Sequence, residues 1–377
     1  MRKVLFKHIK RVVVKIGSGV ISNAGGLEPE QVAAIAEDVC SLLDRGLEVI
    51  LVSSGAVAAG KGQLGIVGRP QTIPQKQAAA AIGQTRIIRE YRETFQARHY
   101  NVAQVLLTRD DLSNRRRYLN ARNTMMTLLD YGVTPIVNEN DTVVVEEIKF
   151  GDNDTLAALV SLVINAELML MLTDVDGLFD RNPAEHNDAQ RLASVESVDG
   201  EVMAMAGDVG SSFGTGGMVS KLKAARVAIR GGVAAAIING HRADGIADFL
   251  KGADIGTLFL CGEDRQSRKQ HWIVDLLHPA GTIHVDAGAA GAIVGKGSSL
   301  LPIGMTAVEG VFDKGECVEI HGPDGVIARG LCNYTGDEMR RLIGVASDRI
   351  ESVLGYVDFT SVIHRDNLVL LQPEENN

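Results

Sequence analysis

Aromatic side chains and long hydrophobic runs are scarce in this chain. Only 4% of its 377 residues are aromatic, whereas glycine accounts for 41 residues. Proteins that bind single-stranded nucleic acids by base stacking need aromatic platforms, so the composition favours an α/β enzyme with many glycine turns. The net charge of −9 likewise argues against a general binder of phosphate backbones.

The apolar stretch near the N-terminus is interrupted by Lys15 and is too short for a signal peptide. No window of the sequence approaches the length of a membrane span. We therefore expect a cytoplasmic protein with no membrane partner.

Cysteine is also rare, and the four cysteines do not have the spacing of a metal site or a redox pair. Cys40, Cys261, Cys317 and Cys332 predict free, mostly buried thiols in a reducing compartment. The histidines show no metal spacing either, so no metal site made by the protein itself is predicted.

The length predicts two domains of unequal size. Through residue 262, apolar strands alternate with helical segments, which predicts a mostly parallel sheet covered by helices on both faces. The polar stretch 263–278 predicts a linker. Residues 279–377 carry short β-like pieces and one helical segment near 336–343, which predict a small β-barrel or sandwich. This second domain has 7 basic and 14 acidic residues, a net charge of −7.

Two short polar runs, NEND at 138–141 and GDND at 151–154, lie at the edges of apolar segments. Carboxylates at the end of a buried strand are unfavourable unless a cationic group meets them. One interpretation is a solvated hairpin. The other is a polar site that holds an ammonium group, a metal ion or catalytic lysines. The two runs alone do not decide between these interpretations.

Lys15 lies inside the apolar strand VVVKI, and this position favours a functional lysine over one that reaches solvent at an edge. In open α/β sheets, ligands bind at the carboxyl ends of the strands. In this sequence those ends are predicted at 17–19, 53–55, 138–141 and 173–174. They are therefore the candidate positions of a binding site.

A second candidate for phosphate binding is the glycine-rich segment 214–218, which leads into a helix that contains Lys221. Alone this segment is weak evidence for phosphate binding, but together with Lys15 and an acidic cluster it indicates phosphoryl transfer. The segment 55–62 matches a P-loop except at its last position, where Gly62 replaces the required serine or threonine. We interpret that segment as a helix start with Lys61 at the surface.

Several motifs, taken in their order along the chain, resemble those of the amino acid kinase family: VVVKIGSGV, ILVSSGAVAAG, LNARNT, PIVNENDTV, IKFGDNDTLAA, LTDVDGLF and GTGGMVSKLKAA. In detail they are similar to the members that phosphorylate glutamate at the start of proline synthesis. The segment that begins DAGAAGAIVGKG resembles a PUA domain. The resemblance covers nearly the whole chain, and it implies the amino acid kinase fold followed by a PUA-like domain.

The resemblance also implies roles for individual residues. Lys15 and Lys221 match two lysines that contact the transferring phosphoryl group, and Asp154 matches the aspartate that orients them. The substrate-binding positions match Ser54, Gly55, Asn138, Asp141 and Asn153. The ATP-binding positions match Lys15, Gly17, Ser18, Thr173, Asp174, Thr215, Gly216, Gly217, Met218, Val219, Ser220 and Lys221.

The implied reaction is direct, in-line transfer from ATP, with Mg²⁺, to the side-chain carboxylate of L-glutamate. That carboxylate is ionised at neutral pH because its pKa is about 4.3, so no general base is needed. Asp141 can pair with the α-ammonium group of glutamate. The resemblance further implies feedback inhibition by proline and assembly into homo-oligomers.

Two kinds of alternative stay open. Other members of the same fold phosphorylate acetylglutamate, aspartate, carbamate or UMP. From another class, an RNA-binding or RNA-modifying protein is conceivable because PUA domains often bind RNA, although the acidic balance of 279–377 weighs against it.

Overall fold

The computed structural model describes residues 6–23, 25–66, 68, 70–113, 115–143, 153–183, 185–206, 217–261 and 279–371. The chain divides into two units, Met1–Arg265 and Gln266–Asn377. The predicted linker lies outside the described residues, so the predicted boundaries at 262 and 279 stay a prediction. The sequence of 142–149 indicates a hairpin that projects from the sheet, and this segment also falls mostly outside the described residues.

In the first unit, eight strands of the described residues form one sheet. They are β1 (Arg11–Ile16), β4 (Glu48–Ser53), β5 (Asn101–Leu107), β6 (Val133–Glu139), β7 (Leu168–Thr173), β8 (Ser194–Val195), β9 (Ala234–Asn239) and β10 (Thr257–Phe259). Two further short strands, β2 (Ser22–Asn23) and β3 (Gly26–Leu27), pair with each other. The order across the sheet is β5-β6-β4-β1-β7-β9-β10-β8, and only β9 and β10 pair antiparallel. The predicted, mostly parallel sheet is confirmed.

Helices connect these strands and cover both faces of the sheet. They are α1 (Ser18–Ile21), α2 (Pro29–Leu43), α3 (Ala56–Gln63), α4 (Ile73–Ala97), α5 (Arg109–Ser113), α6 (Arg115–Asp130), α7 (Asn153–Val163), α8 (Gly200–Met205), α9 (Met218–Arg230) and α10 (Gly245–Leu250). Pro29 occupies the first turn of α2, where its missing N–H is not needed. Thr72 and Gln75 form a reciprocal capping box at the start of α4. None of the helices described here combines the length and apolar character needed to cross a bilayer.

The strand β1 is at the centre of this unit and is apolar on both faces because both are covered. Side chains alternate along a strand, so Val12, Val14 and Ile16 enter the core on one face. Val13 enters the core on the other face, together with apolar side chains of α7 and α9. By the same alternation Lys15 lies on the face of α7 and α9.

Gly60 and Gly83 bring the backbones of α3 and α4 into direct contact. A Cβ atom on Gly60 would lie 1.8 Å from the carbonyl oxygen of Ala79, and one on Gly83 would lie 1.8 Å from that of Ala56. Helix packing therefore explains Gly60, one of the glycines that make 55–62 resemble a P-loop. The predicted helix start at this position is confirmed, with Lys61 half-buried.

The C-terminal unit contains a five-stranded sheet in the order β12-β11-β13-β14-β15. The strands are β11 (Gly281–Val285), β12 (Met305–Gly310), β13 (Cys317–Gly322), β14 (Gly325–Leu331) and β15 (Leu368–Leu370). Its helices are α11 (Ala287–Lys296), α12 (Gly336–Leu342) and α13 (Ile350–Leu354). The prediction of a single helix was wrong: α12 was found, but α11 was missed because its many alanines and glycines show little amphipathic pattern.

The cysteines behave as structural side chains. Cys40, Cys317 and Cys332 are buried and Cys261 is half-buried, which confirms the predicted burial. Burial raises the pKa of Cys40 to about 11 and that of Cys332 to about 12. These two thiols are therefore poor nucleophiles.

We expect Gly60→Ala to lower the free energy of unfolding by about 1–3 kcal/mol, because the new methyl group overlaps the backbone of α4. Urea unfolding measures the change. Gly62→Ala is the matched control on the same helix, since a Cβ there would meet its nearest atom at 3.4 Å. This control should be stabilised by about 0.5–1 kcal/mol through its better helix propensity. Equal stability of Gly60→Ala and the native chain would contradict the described contact.

Candidate active site

The polar residues gather at one edge of the first sheet, where the strands β6, β4, β1 and β7 end side by side. From β1 the chain first builds β4, β5 and β6 on one side and then crosses to β7 on the other side. Ligands of open α/β sheets bind at such a reversal of strand order, outside the carboxyl ends of the strands. The topology therefore indicates a candidate binding site beside the end of β1.

Lys15, Asp154 and Lys221 meet at this edge. The Lys15 Nζ lies 2.5 Å from Asp154 Oδ1, and the Lys221 Nζ lies 3.4 Å from Asp154 Oδ2. The exposed fractions of the three residues are 4%, 0% and 5% in chain order. They are distant in sequence, so the fold alone brings them together.

Local structure explains why each member of this cluster points to the others. Lys15 leaves β1 on the face that α7 and α9 cover. Asp154 is the second residue of α7, and Lys221 lies one turn inside α9. The two helices pack on each other through apolar side chains that include Leu156 and Leu222. Their first turns therefore carry the carboxylate and the second ammonium group to Lys15.

The charges in this cluster are unequal. Burial alone would raise the pKa of Asp154, but the ammonium groups of Lys15 and Lys221, with hydrogen bonds from Lys15 and Ser220, hold that pKa below its usual value. Asp154 is therefore ionised at neutral pH, and two cations face one anion. The remaining positive charge lies in a largely dry environment, where it attracts an anion more strongly than it would in water.

Ser220 is a further hydrogen-bond partner of Asp154. Its hydroxyl donates to Asp154 Oδ2 over 2.8 Å and lies 3.0 Å from the carbonyl oxygen of Gly217. The sequence resemblance assigned Ser220 to ATP; in the structure its hydroxyl contacts the carboxylate between the lysines.

A second polar group surrounds Asn153, the first residue of α7. Its Nδ2 lies 3.0 Å from the carbonyl oxygen of Ser53, 3.0 Å from Ser54 Oγ and 2.8 Å from Asn138 Oδ1. The backbone N–H of Glu139 also donates to Asn138 Oδ1. Asn153 thus joins the ends of β4 and β6. Asn138 and Glu139 belong to β6, so this strand runs into the NEND run and ends within the predicted range 138–141.

The two glycine turns have different roles. Gly55 has φ 93°, in the left-handed region, and a Cβ there would lie 3.3 Å from Ile21 Cδ1. The N–H of Gly17 donates to the carbonyl of Leu172 over 3.1 Å, so this N–H is used within the sheet, and the assignment of Gly17 to ATP stays a prediction. The N–H groups of Ser18 and Gly19 lie in the first turn of α1, where the helix itself offers no acceptor.

The remaining predicted site residues lie around this edge. Asp141 is half-buried in the turn after β6. Thr173 ends β7, and its hydroxyl donates to the exposed Asp174 over 3.0 Å. Gly217 precedes α9, and Met218 and Val219 form its first turn. Thr215 and Gly216 lie outside the described residues.

Gln84 is a polar residue of this edge that the sequence reasoning missed. It is buried on α4, and its Nε2 lies 3.4 Å from the carbonyl oxygen of Glu139. Gln104 of β5 donates to Gln84 Oε1. A glutamine within the alanine-rich run AAAAIGQT is a polar residue in an apolar segment, as Lys15 is within VVVKI, so the same criterion could have identified it. In the structure its side chain supports the end of β6.

The arrangement is suited to stabilising the negative charge of a group that is being transferred. It offers two ammonium groups, the first turns of α1 and α9, and a separate polar group one residue away at Asn153. Among the residues that the structure describes, no group of three or more histidine, cysteine, aspartate or glutamate side chains could hold a metal ion.

Comparison with known proteins extends these observations. The model of the amino acid kinase family matches residues 10–239, and that of the PUA domain matches residues 281–354. Glutamate 5-kinase of Syntrophotalea carbinolica is 49% identical over 371 residues, which cover 98% of this chain and 100% of that relative. The glutamate 5-kinases of Geobacter sulfurreducens and Geobacter metallireducens are 50% and 51% identical over 373 residues, with the same coverage. The similarity extends through both units.

We expect Asp154→Asn to lower the free energy of unfolding by about 3–5 kcal/mol at neutral pH, because two buried ammonium groups lose their counter-charge. The pKa of Asp154 is lowered in the folded protein. The stability from its ionised form is therefore present above the unfolded pKa of about 3.9 and is lost as the pH falls below it. Urea unfolding of both proteins across this range measures the difference, which should shrink in acid.

Asp110→Asn is the control for this measurement. Asp110 is exposed and lies 3.6 Å from Arg117 at the surface. Its removal should change stability by less than about 1 kcal/mol. A difference between the native chain and Asp154→Asn that is the same at every pH would show that Asp154 does not titrate as described.

Proposed function

The chain belongs to the amino acid kinase family and, within it, to the glutamate 5-kinases, and from this premise we propose how its residues transfer the terminal phosphoryl group of ATP to L-glutamate. The product is L-glutamyl 5-phosphate, the first intermediate of proline biosynthesis. The observation that carries the proposal is the convergence of Lys15 and Lys221 on Asp154 beside the Asn153 group.

The nucleophile is the side-chain carboxylate of glutamate, which is already ionised and needs no general base. The barrier lies in bringing this anion to the polyanionic end of ATP, so positive charge and correct alignment supply most of the catalysis. Lys15 and Lys221 neutralise the phosphoryl oxygens as charge develops. Asp154 holds both ammonium groups in place and is not itself a base.

Glutamate binds beside this cluster, at the ends of β4 and β6. Ser54, Gly55, Asn138 and Asn153 form a pre-organised polar wall there. Asp141, in the turn that follows β6, pairs with the α-ammonium group of glutamate. An N-acylated substrate would have no ammonium group for Asp141, so this pairing selects free glutamate.

ATP lies on the other side of β1. The first turns of α1 and α9 direct N–H groups toward its phosphates. Ser18, Thr173 and Asp174 lie at the strand ends on this side, and Gly217 leads into α9. ATP would enter as its magnesium complex, in which Mg²⁺ would offset part of the negative charge of the phosphates. We assign that ion to the nucleotide rather than to a site made by the protein.

The C-terminal unit is a PUA domain, and its role stays a proposal. Its net charge of −7 over 279–377 opposes unspecific binding of RNA, so we give it at most an accessory role toward RNA. Inhibition by proline at or beside the glutamate site, assembly into homo-oligomers through the first unit and a cytoplasmic location are likewise proposed.

We expect Lys15→Met and Lys221→Met each to lower kcat by about 100-fold or more, because each removes a cation that stabilises the transferring group. Steady-state assays with ATP and L-glutamate measure the loss. Lys61→Met is the control, since Lys61 lies on α3 in the segment that resembles a P-loop. It should keep native turnover. Full activity of either active-site variant would refute the proposed role of the lysine pair.

We also expect a coupled assay of ADP release to favour L-glutamate over N-acetyl-L-glutamate by about 100-fold or more in kcat/KM, because the acetylated substrate offers no ammonium group to Asp141. L-Aspartate should be slow, since its shorter side chain holds the nucleophile away from ATP. Proline should raise the apparent KM for glutamate. Asp141→Asn should reduce the preference for the free amine. Faster turnover of N-acetyl-L-glutamate would overturn the assigned substrate.

A further inference from the structure

The contacts around Asp154 are unequal in length. Lys15 Nζ approaches Oδ1 to 2.5 Å, whereas Lys221 Nζ stays 3.4 Å from Oδ2. The closer contact to Oδ2 comes from the Ser220 hydroxyl at 2.8 Å. Direct charge-assisted hydrogen bonds of an ammonium group to a carboxylate are about 2.7–2.9 Å long, so the contact of Lys221 is a loose one.

The Ser220 hydroxyl has a single hydrogen and two acceptors within reach. The carbonyl of Gly217 lies 3.0 Å away and is the usual local partner of a serine near a helix start. Asp154 Oδ2 is closer and carries charge, so it is the stronger acceptor. The hydrogen therefore belongs mainly to the contact between α9 and α7.

Removal of this hydroxyl has a predictable consequence for Lys221. Asp154 is fully buried, so water cannot readily replace the lost donor at Oδ2. The nearest cation on that side is the ammonium group of Lys221, on the residue next to Ser220. It would close the distance to Oδ2 and leave its position toward a phosphoryl group.

We propose that Ser220 is a positioning residue, which fixes the Asp154 carboxylate and holds Lys221 at the loose distance that phosphoryl transfer requires. The role rests on the proposed function, but the contact itself does not. It differs from a contact of Ser220 with ATP, because the hydroxyl acts through Asp154. The positioning role also explains why a residue with a hydroxyl group directly precedes Lys221.

Kinetics of Ser220→Ala and Ser220→Thr with ATP and L-glutamate test the role. Ser220→Ala should lower kcat by about tenfold to 100-fold, with KM for ATP changed by less than about twofold, since misplaced catalytic groups affect the chemical step. Ser220→Thr keeps the hydroxyl and should restore kcat to within about threefold. A raised KM for ATP with unchanged kcat would overturn the proposal.

Ser161→Ala is the matched control. Ser161 is fully buried on α7, and its hydroxyl donates to the carbonyl of Ala157 within the same helix. The substitution removes a buried serine hydroxyl close to the site in sequence but outside it. Kinetic constants close to native are expected. A loss of kcat equal to that of Ser220→Ala would assign the effect to helix packing and overturn the proposal.

A thermal double-mutant cycle tests the contact without activity. Ser220→Ala should lower Tm by about 2–4 °C in the native chain and by much less in Asp154→Asn, where the charged acceptor is gone. Ser161→Ala should lower Tm equally in both backgrounds. Equal shifts for Ser220→Ala would refute the contact. Failure of the native chain to phosphorylate glutamate would refute the proposed function. The double-mutant cycle would still show whether Ser220 contacts Asp154.

Discussion

The ion pair between Lys15 and Asp154 is the constraint on which the rest of the site depends. A lysine in the middle strand of a covered sheet is stable only if a carboxylate reaches it through the same layer of side chains. Asp154 does so from the first turn of α7, and α7 must therefore lie across β1 in one register. Lys221 adds a second cation to the same carboxylate, so it also fixes the start of α9.

Much of this could be predicted from the sequence because a few residues are out of place in their surroundings. Lys15 within VVVKI indicated a functional lysine rather than one that reaches solvent, and the strand ends indicated the edge of the sheet at which the polar residues gather. Alternation along β1 gives the face of Lys15 once the strand is known. The pairing with Asp154 could not be derived from local pattern, since it depends on how β1, α7 and α9 pack. Only the family resemblance supplied it in advance.

Other features could not be predicted from the sequence, for physical reasons that the structure makes clear. The resemblance assigns Gly17 to ATP, but the structure shows its N–H donating to the carbonyl of Leu172 on the neighbouring strand. Gly60 looked like part of a P-loop, but it is a packing glycine against Ala79. A glycine permits both a free turn and a close backbone contact, and sequence alone does not tell them apart. Ser220 carried no signal of its own beyond its place beside Lys221.

Asn153 and Asp154 are consecutive residues, yet they serve opposite sides of the site. In the proposed mechanism, Asn153 joins the strand ends that receive the acceptor, and Asp154 holds the cations that receive the donor. Any tilt of the start of α7 would therefore disturb both substrates together. Evolution toward a new acceptor would have to leave this turn alone and work through more distant positions, such as the turn that carries Asp141. The chemistry is inherited as a unit, and the choice of acceptor is the adjustable part.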